Sequence, residues 1–316
     1  MTLRDLQTQA LARLDGFAVL DEPLAPHTTY KLGGPAAVFA TPRTASDLAA
    51  VAEVIHDTGL PVLIIGRGSN LLVADSGFAG IAVSLAEFAD TVEITGTVVV
   101  AGAATALPVL ARRTASLGLT GFEWAVGVPG SIGGAVRMNA GGHGSDMAAS
   151  LVGVQLLDLH TGRRGFVEAQ RLGLRFRGSD LADHQVVLDA TLQLAQGDAA
   201  VAEASLSEIV RWRREHQPGG QNAGSVFVNP VPGELAAAQL IDGLALRGFR
   251  IGGAFVSDKH ANFVQAEHGA TAADVRAVME YVRSRVVEMT GFLLRSEVRL
   301  VGFADVESEQ REGVAL

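Results

Sequence analysis

Two glycine-rich segments constrain this chain more than any other feature. Residues 66–70 (GRGSN) follow a short apolar run at residues 62–65, and residues 127–144 contain seven of the 37 glycines in the 316-residue chain. Glycine lets backbone N–H groups approach a ligand closely, at an entropic cost of roughly 0.5–1 kcal/mol per residue relative to alanine. We therefore expect close contact between these segments and a large flat or phosphorylated ligand, and two such cradles suggest a dinucleotide.

Neither segment matches the common nucleotide-binding motifs. In the first, the sixth position is Leu71 rather than glycine or alanine, and a strand-like run rather than a helix follows, so it is not a Rossmann fingerprint. It is not a Walker loop either. Taken alone, the first segment is explained equally well by a plain turn that needs positive φ at two positions. The second segment is too dense in glycine for that explanation.

Composition and charge exclude several classes of function. The chain has 25 basic and 34 acidic residues, a net charge of −9 and no long basic run, which argues against a nucleic-acid partner. It has no cysteine, so disulfides, thiolate metal sites and cysteine nucleophiles are excluded. The eight histidines lack metal-ligand spacing, and we predict no metal site. The N-terminus lacks an apolar signal core, so we predict a cytoplasmic protein without membrane insertion.

Local patterns predict a mixture of helices and strands. One helix begins at a capping pair formed by Thr44 and Asp47 and ends at Gly59, and a second begins at Thr271 and Asp274. Further elements are strands at 62–65 and 71–73, a hairpin at 92–94 and 97–100, a helix at 107–114, a half-buried strand at 186–194, and a closing strand at 297–303. A small, polar segment at 196–200 predicts a domain boundary near residue 200.

Several motifs together resemble one family of flavoenzymes. They are residues 27–34, 65–73, 127–135 and 138–141 in the first part, and residues 217–218, 223–230, 240–242, 257–263 and 297–299 in the second. On these residues the chain resembles the UDP-N-acetylenolpyruvoylglucosamine reductases, the MurB family. Motifs of the first part are shared with other flavin oxidases, whereas those of the second part are much more specific.

The resemblance implies an architecture and two cofactors. The fold class is α+β, with an FAD-binding unit of the PCMH type at residues 1–200, divided into two subdomains near 85–90. A C-terminal α+β substrate-binding domain follows at 201–305, and a charged, frayed tail at 306–316. FAD is the implied bound cofactor and NADPH the hydride donor. The implied FAD-binding residues are Gly66, Arg67, Gly68, Ser69, Asn70, Leu71, Gly127, Pro129, Gly130, Ser131, Gly133, Gly134 and Asn139.

The resemblance also implies a reaction and three catalytic residues. Hydride passes from NADPH through FAD to the enolpyruvyl ether of UDP-N-acetylglucosamine, giving UDP-N-acetylmuramate for peptidoglycan precursor synthesis. Arg177 matches the family's catalytic arginine, Ser225 its proton donor and Glu297 its catalytic glutamate. Without the resemblance, these residues would be interpreted as a surface arginine, a turn serine and a strand-end carboxylate.

Two departures from the family pattern and two alternative functions stay open. Val228 stands where the family often has a lysine that holds the diphosphate, and His143 stands where many members have tyrosine. An FAD-dependent oxidase or dehydrogenase of a hydroxy acid would explain the glycine segments, but not Ser225 and Glu297 in their motifs. A non-catalytic flavin-binding module is the third hypothesis.

Overall fold

The computed structural model describes residues 3–304 and residue 314. Its helices are α1 (Leu3–Arg13), α2 (Ala45–Thr58), α3 (Leu107–Ser116), α4 (Ile132–Met138), α5 (Ala199–His216), α6 (Ala237–Gly243) and α7 (Ala272–Thr290). Its strands are β1 (Ala18–Pro23), β2 (Pro35–Ala40), β3 (Val62–Ile65), β4 (Leu71–Val73), β5 (Phe78–Ser84), β6 (Val92–Thr95), β7 (Val98–Gly102), β8 (Leu119–Thr120), β9 (Gly141–Gly142), β10 (Ser145–Asp146), β11 (Leu151–Asp158), β12 (Arg164–Glu168), β13 (Gln185–Gln193), β14 (Ala195–Gln196), β15 (Arg250–Ile251), β16 (Ala254–Val256), β17 (Val264–Ala266) and β18 (Arg299–Val301). The predicted frayed tail, 306–316, lies outside the described residues except for Val314.

Two sheets follow one another in the N-terminal part of the chain. A four-stranded mixed sheet has the order β1-β2-β5-β3, and a five-stranded antiparallel sheet has the order β12-β11-β13-β7-β6. The change from one sheet to the other falls between Ser84 and Val92, the region in which the sequence suggests a subdomain boundary. A three-stranded sheet of β15, β16 and β17 lies in the C-terminal part. This arrangement confirms the predicted α+β fold class.

Capping residues explain why the predicted helices begin and end where they do. Thr44 and Asp47 form a capping box at the start of α2, and Thr271 and Asp274 form one at the start of α7. Gly59 ends α2 in the left-handed region with φ +63°. Strands β3 and β4 have the predicted bounds. These elements are confirmed because their signals are local in sequence.

Strand β13 is more buried than its alternating pattern predicts. Val186, Leu188 and Ala190 point into the core as expected, but Val187 on the other face is only 6% exposed. Gln185, on the same face as Val187, is also buried. The prediction of a half-buried strand is therefore wrong for this stretch, because both residues line a cavity in which neighbouring side chains cover most of their surface.

The distribution of core residues assigns α5 to the N-terminal part. Ala202, Leu206 and Ile209 of this helix pack into the same hydrophobic core as the two N-terminal sheets. A second core is built mainly from residues 223–298. A boundary near residue 200 would separate α5 from the core that it completes, so the change of core comes after His216.

Several contacts join the N-terminal and C-terminal parts. The buried Tyr30 belongs to the second core, and its hydroxyl donates to the carbonyl of Val264 at 3.0 Å. Asp75 accepts bonds from the N–H groups of Ala272 and Ala273, at 2.9 and 3.0 Å, at the start of α7. Strand β18 pairs in parallel with β4, so the predicted closing strand, shorter than expected, returns to the N-terminal part.

Candidate active site

The first glycine loop joins β3 to β4 and packs against the segment before β2. Gly68 has φ +60°, and a Cβ there would lie 1.9 Å from the carbonyl oxygen of His27. The N–H of Thr29 donates to the carbonyl of Gly68 at 3.2 Å. The buried Thr29 hydroxyl has no partner within the described residues. Glycine is therefore required at position 68, and a buried polar group beside it is available to a ligand.

The second glycine loop leads into α4 and touches the first. A Cβ at Gly66 would lie 2.4 Å from the hydroxyl oxygen of Ser131, the residue before α4. The N–H of Gly133 donates to the carbonyl of Ala103 at 2.9 Å. The hydroxyl of Thr105 is buried without a partner in the part of the chain that the structure describes. The two loops thus form one surface with further unsatisfied polar atoms.

A cavity lies between the two loops. Its lining includes Gly66, Ser131, Gly134 and Val187, together with the three charged side chains of Arg137, Asp183 and Arg299. The carboxylate of Asp183 lies 2.5 Å from the guanidinium of Arg137 and 2.6 Å from that of Arg299. Two guanidinium groups and one carboxylate leave this side of the cavity with a net positive charge.

These features fit a flavin dinucleotide. The orphaned hydroxyls of Thr29 and Thr105 can bind polar atoms of such a ligand. The positive charge on the cavity wall suits an anionic ligand. Among the predicted loop residues, Gly66 and Gly134 line the cavity and are exposed, and Arg67 and Pro129 of the same two loops are exposed as well.

Asn139, a predicted cofactor residue, has its side-chain amide occupied by protein groups. Its Nδ2 donates to the Asp146 carboxylate at 3.0 Å and to the carbonyl of Arg175 at 3.3 Å. Its Oδ1 accepts the N–H of Ala148 at 2.9 Å. The residue has φ +39° and ends α4. Asn139 therefore holds the loop that carries Arg177 in place.

Asn70 and Leu71 connect the first loop to the last strand. Asn70 Nδ2 donates to the carbonyl of Glu297 at 2.9 Å, and the carbonyl of Asn70 accepts the N–H of Arg299 at 3.0 Å. Leu71 is buried and pairs with Arg299 in the β4–β18 sheet. The predicted cofactor loop and the predicted catalytic glutamate are thus directly joined.

The structure brings Arg177 and Glu297 together. Arg177 Nε lies 2.8 Å from Glu297 Oε1, and the two side chains are 23% and 19% exposed. The direction of the Nε–H does not meet hydrogen-bond geometry, so this buried nitrogen has no hydrogen-bond partner among the described residues. Burial raises the pKa of Glu297, and the charge of Arg177 opposes that rise. Arg177 also has φ +58°, a strained conformation for a residue other than glycine.

Ser225 lies on an extended segment directly beside Glu297. The N–H of Glu297 donates to the carbonyl of Val226 at 2.9 Å. On its other side, Ser225 forms a β-bridge with Phe263. The half-buried Ser225 side chain makes no hydrogen bond within the described residues. Its hydroxyl is therefore available to a substrate.

Comparisons with known proteins identify the family. Residues 36–164 match an FAD binding domain, and residues 216–301 match the C-terminal domain of UDP-N-acetylenolpyruvoylglucosamine reductase. The reductase of Heliobacterium modesticaldum is 41% identical over 297 residues, which cover 93% of this chain and 94% of the relative. The chain belongs to the UDP-N-acetylenolpyruvoylglucosamine reductase family. It is an FAD-binding oxidoreductase.

Two further comparisons agree with this family. The reductase of Rubrobacter xylanophilus is 40% identical over 92% of this chain and 98% of its own length. The crystal structure of the reductase from Thermus caldophilus matches with a TM-score of 0.77 and 33% identity, covering 90% of this chain and 98% of that one. Among residues 3–304, every helix is too short or too polar to cross a bilayer.

Two positions that depart from the family pattern have clear environments. Val228 is buried, and its N–H donates to the carbonyl of Arg295 at 2.9 Å. His143 has φ +52° and stands edge-on to Trp212, with ring centroids 5.1 Å apart. Burial, together with the charge of Arg213, lowers the pKa of His143. The neutral ring therefore provides an aromatic contact at the position where the resemblance led us to expect tyrosine.

Sequence reasoning missed the charged wall of the cavity. The sequence suggests Arg299 as a motif residue and as a possible partner of the Glu297 carboxylate, whereas in the structure it pairs with Asp183. Asp183 and Arg137 carry no local signal, because their role depends on the approach of three separate segments. Asn262 lies in the motif 257–263, but nothing in that motif indicates that its side chain contacts the Ser225 segment.

Proposed function

We propose that this chain reduces the enolpyruvyl ether of UDP-N-acetylglucosamine to UDP-N-acetylmuramate, with NADPH as the hydride donor. The family membership and the close pairing of Arg177 with Glu297 beside the Ser225 segment support this proposal. The single observation that carries it is this pairing, since the residues come from three distant parts of the chain. NADPH and nucleotide sugars are cytoplasmic metabolites, so we assign the reaction to the cytoplasm.

In the proposed reaction, FAD held by the two glycine loops would supply the two-electron chemistry by which a hydride moves from NADPH to the substrate double bond. The alkene gains that hydride at one carbon and a proton at the other, and NADPH becomes NADP⁺. Arg177 binds the substrate carboxylate, over which negative charge spreads as the hydride arrives. A guanidinium aimed at this charge lowers the barrier because it is already in place.

Ser225 donates the proton to the second carbon. A hydroxyl is a weak acid, but the enolate carbon is strongly basic, so the transfer is feasible when the proton is replaced from water or a neighbouring group. Glu297 is a candidate for that group because burial raises its pKa and so favours its protonated form. It also holds Arg177 in position before the substrate binds.

Arg213 is our candidate for anchoring the substrate diphosphate in place of the lysine replaced by Val228. Its guanidinium has no ion-pair partner among residues 3–304, and burial alone lowers its pKa. Its side chain packs on Gly127, at the start of the second loop, where a Cβ would lie 2.6 Å from Arg213 Cδ. An unpaired, half-buried cation is costly, and an anionic ligand would offset that cost.

The test is the absorption spectrum of the purified protein, followed without oxygen. NADPH should bleach the bound flavin, and the enolpyruvyl sugar should restore its colour with formation of UDP-N-acetylmuramate. Bleaching by a hydroxy acid instead of NADPH would favour the oxidase hypothesis. Bound flavin that neither donor bleaches would favour a non-catalytic module. A protein that cannot be loaded with flavin would overturn the proposal.

A further inference from the structure

We propose that Asn262 is a positioning residue that holds Ser225 in place for proton transfer; this inference rests on the proposed function. Asn262 is only 3% exposed. Its side chain bonds to the extended segment that carries Ser225, and its N–H bonds to His260. Within the described residues, it makes no hydrogen bond to the predicted cofactor loops. Its role is therefore exerted through the backbone of that segment.

The Asn262 side chain acts as a substitute for a neighbouring β-strand. Its Oδ1 accepts the N–H of Phe227 at 3.0 Å, and its Nδ2 donates to the carbonyl of the same residue at 2.8 Å. Its backbone carbonyl accepts the N–H of Val226 at 2.9 Å. One residue thus satisfies three backbone polar groups of the two residues that follow Ser225, as a neighbouring strand would.

The opposite side of the segment is held by the predicted catalytic strand. The carbonyl of Val226 accepts the N–H of Glu297, and the N–H of Val228 donates to the carbonyl of Arg295, both at 2.9 Å. The segment belongs to none of the named sheets of the described chain, so its direction depends on these two sets of bonds. Losing the Asn262 amide would leave Phe227, two residues from Ser225, with two unsatisfied buried groups.

Asn262 is itself fixed by its neighbours. Its N–H donates to Nδ1 of His260 at 3.2 Å. The next residue, Phe263, forms the β-bridge with Ser225 and packs its ring at 4.7 Å from that of His260. The amide is therefore held rigidly, which is what positioning of a proton donor requires, since a misplacement of about 1 Å costs up to roughly 100-fold in rate.

The test begins with Asn262→Asp, which keeps the size of the side chain but replaces the Nδ2 donor by an oxygen facing the carbonyl of Phe227. We expect flavin reoxidation by the enolpyruvyl sugar to slow by at least about tenfold. Flavin reduction by NADPH should stay within about twofold of the wild-type rate, and the solvent deuterium isotope effect on reoxidation should rise because proton transfer limits the rate.

A matched control separates positioning from general loss of stability. Val278→Ala shortens a buried side chain of α7 in the same hydrophobic core, and should cost about 1–3 kcal/mol. We expect this variant to leave the isotope effect unchanged. If Asn262→Asp does not fold, Asn262→Ser removes the same pair of bonds without adding charge. An unchanged isotope effect in the folded Asn262 variant would overturn the inference.

A double-mutant comparison distinguishes this inference from the proposed function. When Ser225→Ala has already removed the donor, Asn262→Asp should slow reoxidation less than about twofold further, because neighbouring residues that act as a unit are not additive. A full additional loss would overturn the positioning role while the donor role of Ser225 stands. If the flavin of the Ser225→Ala single variant is reoxidised at the wild-type rate, the donor role is overturned, and the positioning role with it.

Discussion

Arg177 Nε lies 2.8 Å from Glu297 Oε1, with both side chains largely buried. Asn139 bonds the carbonyl of Arg175, two residues before Arg177, and Asn70 bonds the carbonyl of Glu297. A carboxylate of the protein thus contacts the guanidinium that we assign to the substrate carboxylate. The pairing keeps Arg177 oriented in the ligand-free chain, so little reorganisation is needed when the substrate binds.

Replacing Arg177 should affect only the second half-reaction. We expect Arg177→Ala to slow flavin reoxidation by the enolpyruvyl sugar at least 100-fold, or about 3 kcal/mol, because a charge aimed at the developing negative charge is lost. Stopped-flow measurement of both half-reactions tests this expectation. Arg175→Ala is the control, since that arginine is exposed and pairs with Asp180. Equal losses in the two variants would argue for a structural role of the loop.

Ser225→Ala should leave flavin reduction by NADPH nearly intact and slow the sugar half-reaction severely. Only that half-reaction needs a proton at carbon, and Ser225 is the proposed donor. Rapid-mixing spectra in H₂O and D₂O measure both steps. Similar losses in the two half-reactions would contradict a donor role, because they would indicate a general effect on the flavin site.

Gly68→Ala should abolish flavin retention. The substitution adds left-handed strain of about 1–2 kcal/mol and also drives a methyl group into the carbonyl of His27. Gly96→Ala is the matched control, with a similar φ of +58° and no atom within 4 Å of the added Cβ. Both variants should lose stability, but only Gly68→Ala should elute without flavin. If Gly96→Ala also loses its flavin, backbone strain alone accounts for the effect.

The raised pKa of Glu297 predicts a change of stability with pH. Burial raises the pKa of Glu297 and so favours its protonated form in the folded protein. The stability that this glutamate contributes is therefore fully present below its ordinary pKa and is lost as the pH rises through its folded pKa. Glu297→Gln lacks this dependence. We therefore expect the unfolding free energy of the variant, relative to wild type, to increase with pH in that window. Urea denaturation at a series of pH values measures it, and a decrease with pH would contradict the assignment.

Asp75 should contribute to the junction between the two parts of the chain. Asp75→Ala removes the acceptor of two N–H groups at the start of α7 and should cost about 1–2 kcal/mol. Asp198→Ala removes a cap from α5 and serves as the control. Only the Asp75 variant should speed hydrogen exchange at Ala272 and Ala273. Unchanged exchange there would mean that Thr271 alone caps α7.

The sequence predicted the local elements well and the contacts between distant segments poorly. The capping pairs of α2 and α7 and the apolar run of β3 depend on neighbouring residues, so their bounds could be predicted. The family motifs led to Arg177, Ser225 and Glu297, but their mutual arrangement depends on tertiary packing. The membership of α5 in the first core and the amide contacts of Asn262 have no counterpart in local sequence.

The parallel pairing of β18 with β4 has a consequence for synthesis of the protein. Residues 299–301 are synthesised long after their partner strand. Domains generally begin to fold from the N-terminal side during translation. The flavin cradle therefore stays open at one edge, with Asn70 lacking its acceptor on Glu297, until residues 297–301 have emerged from the ribosome, and stable FAD capture should wait for them.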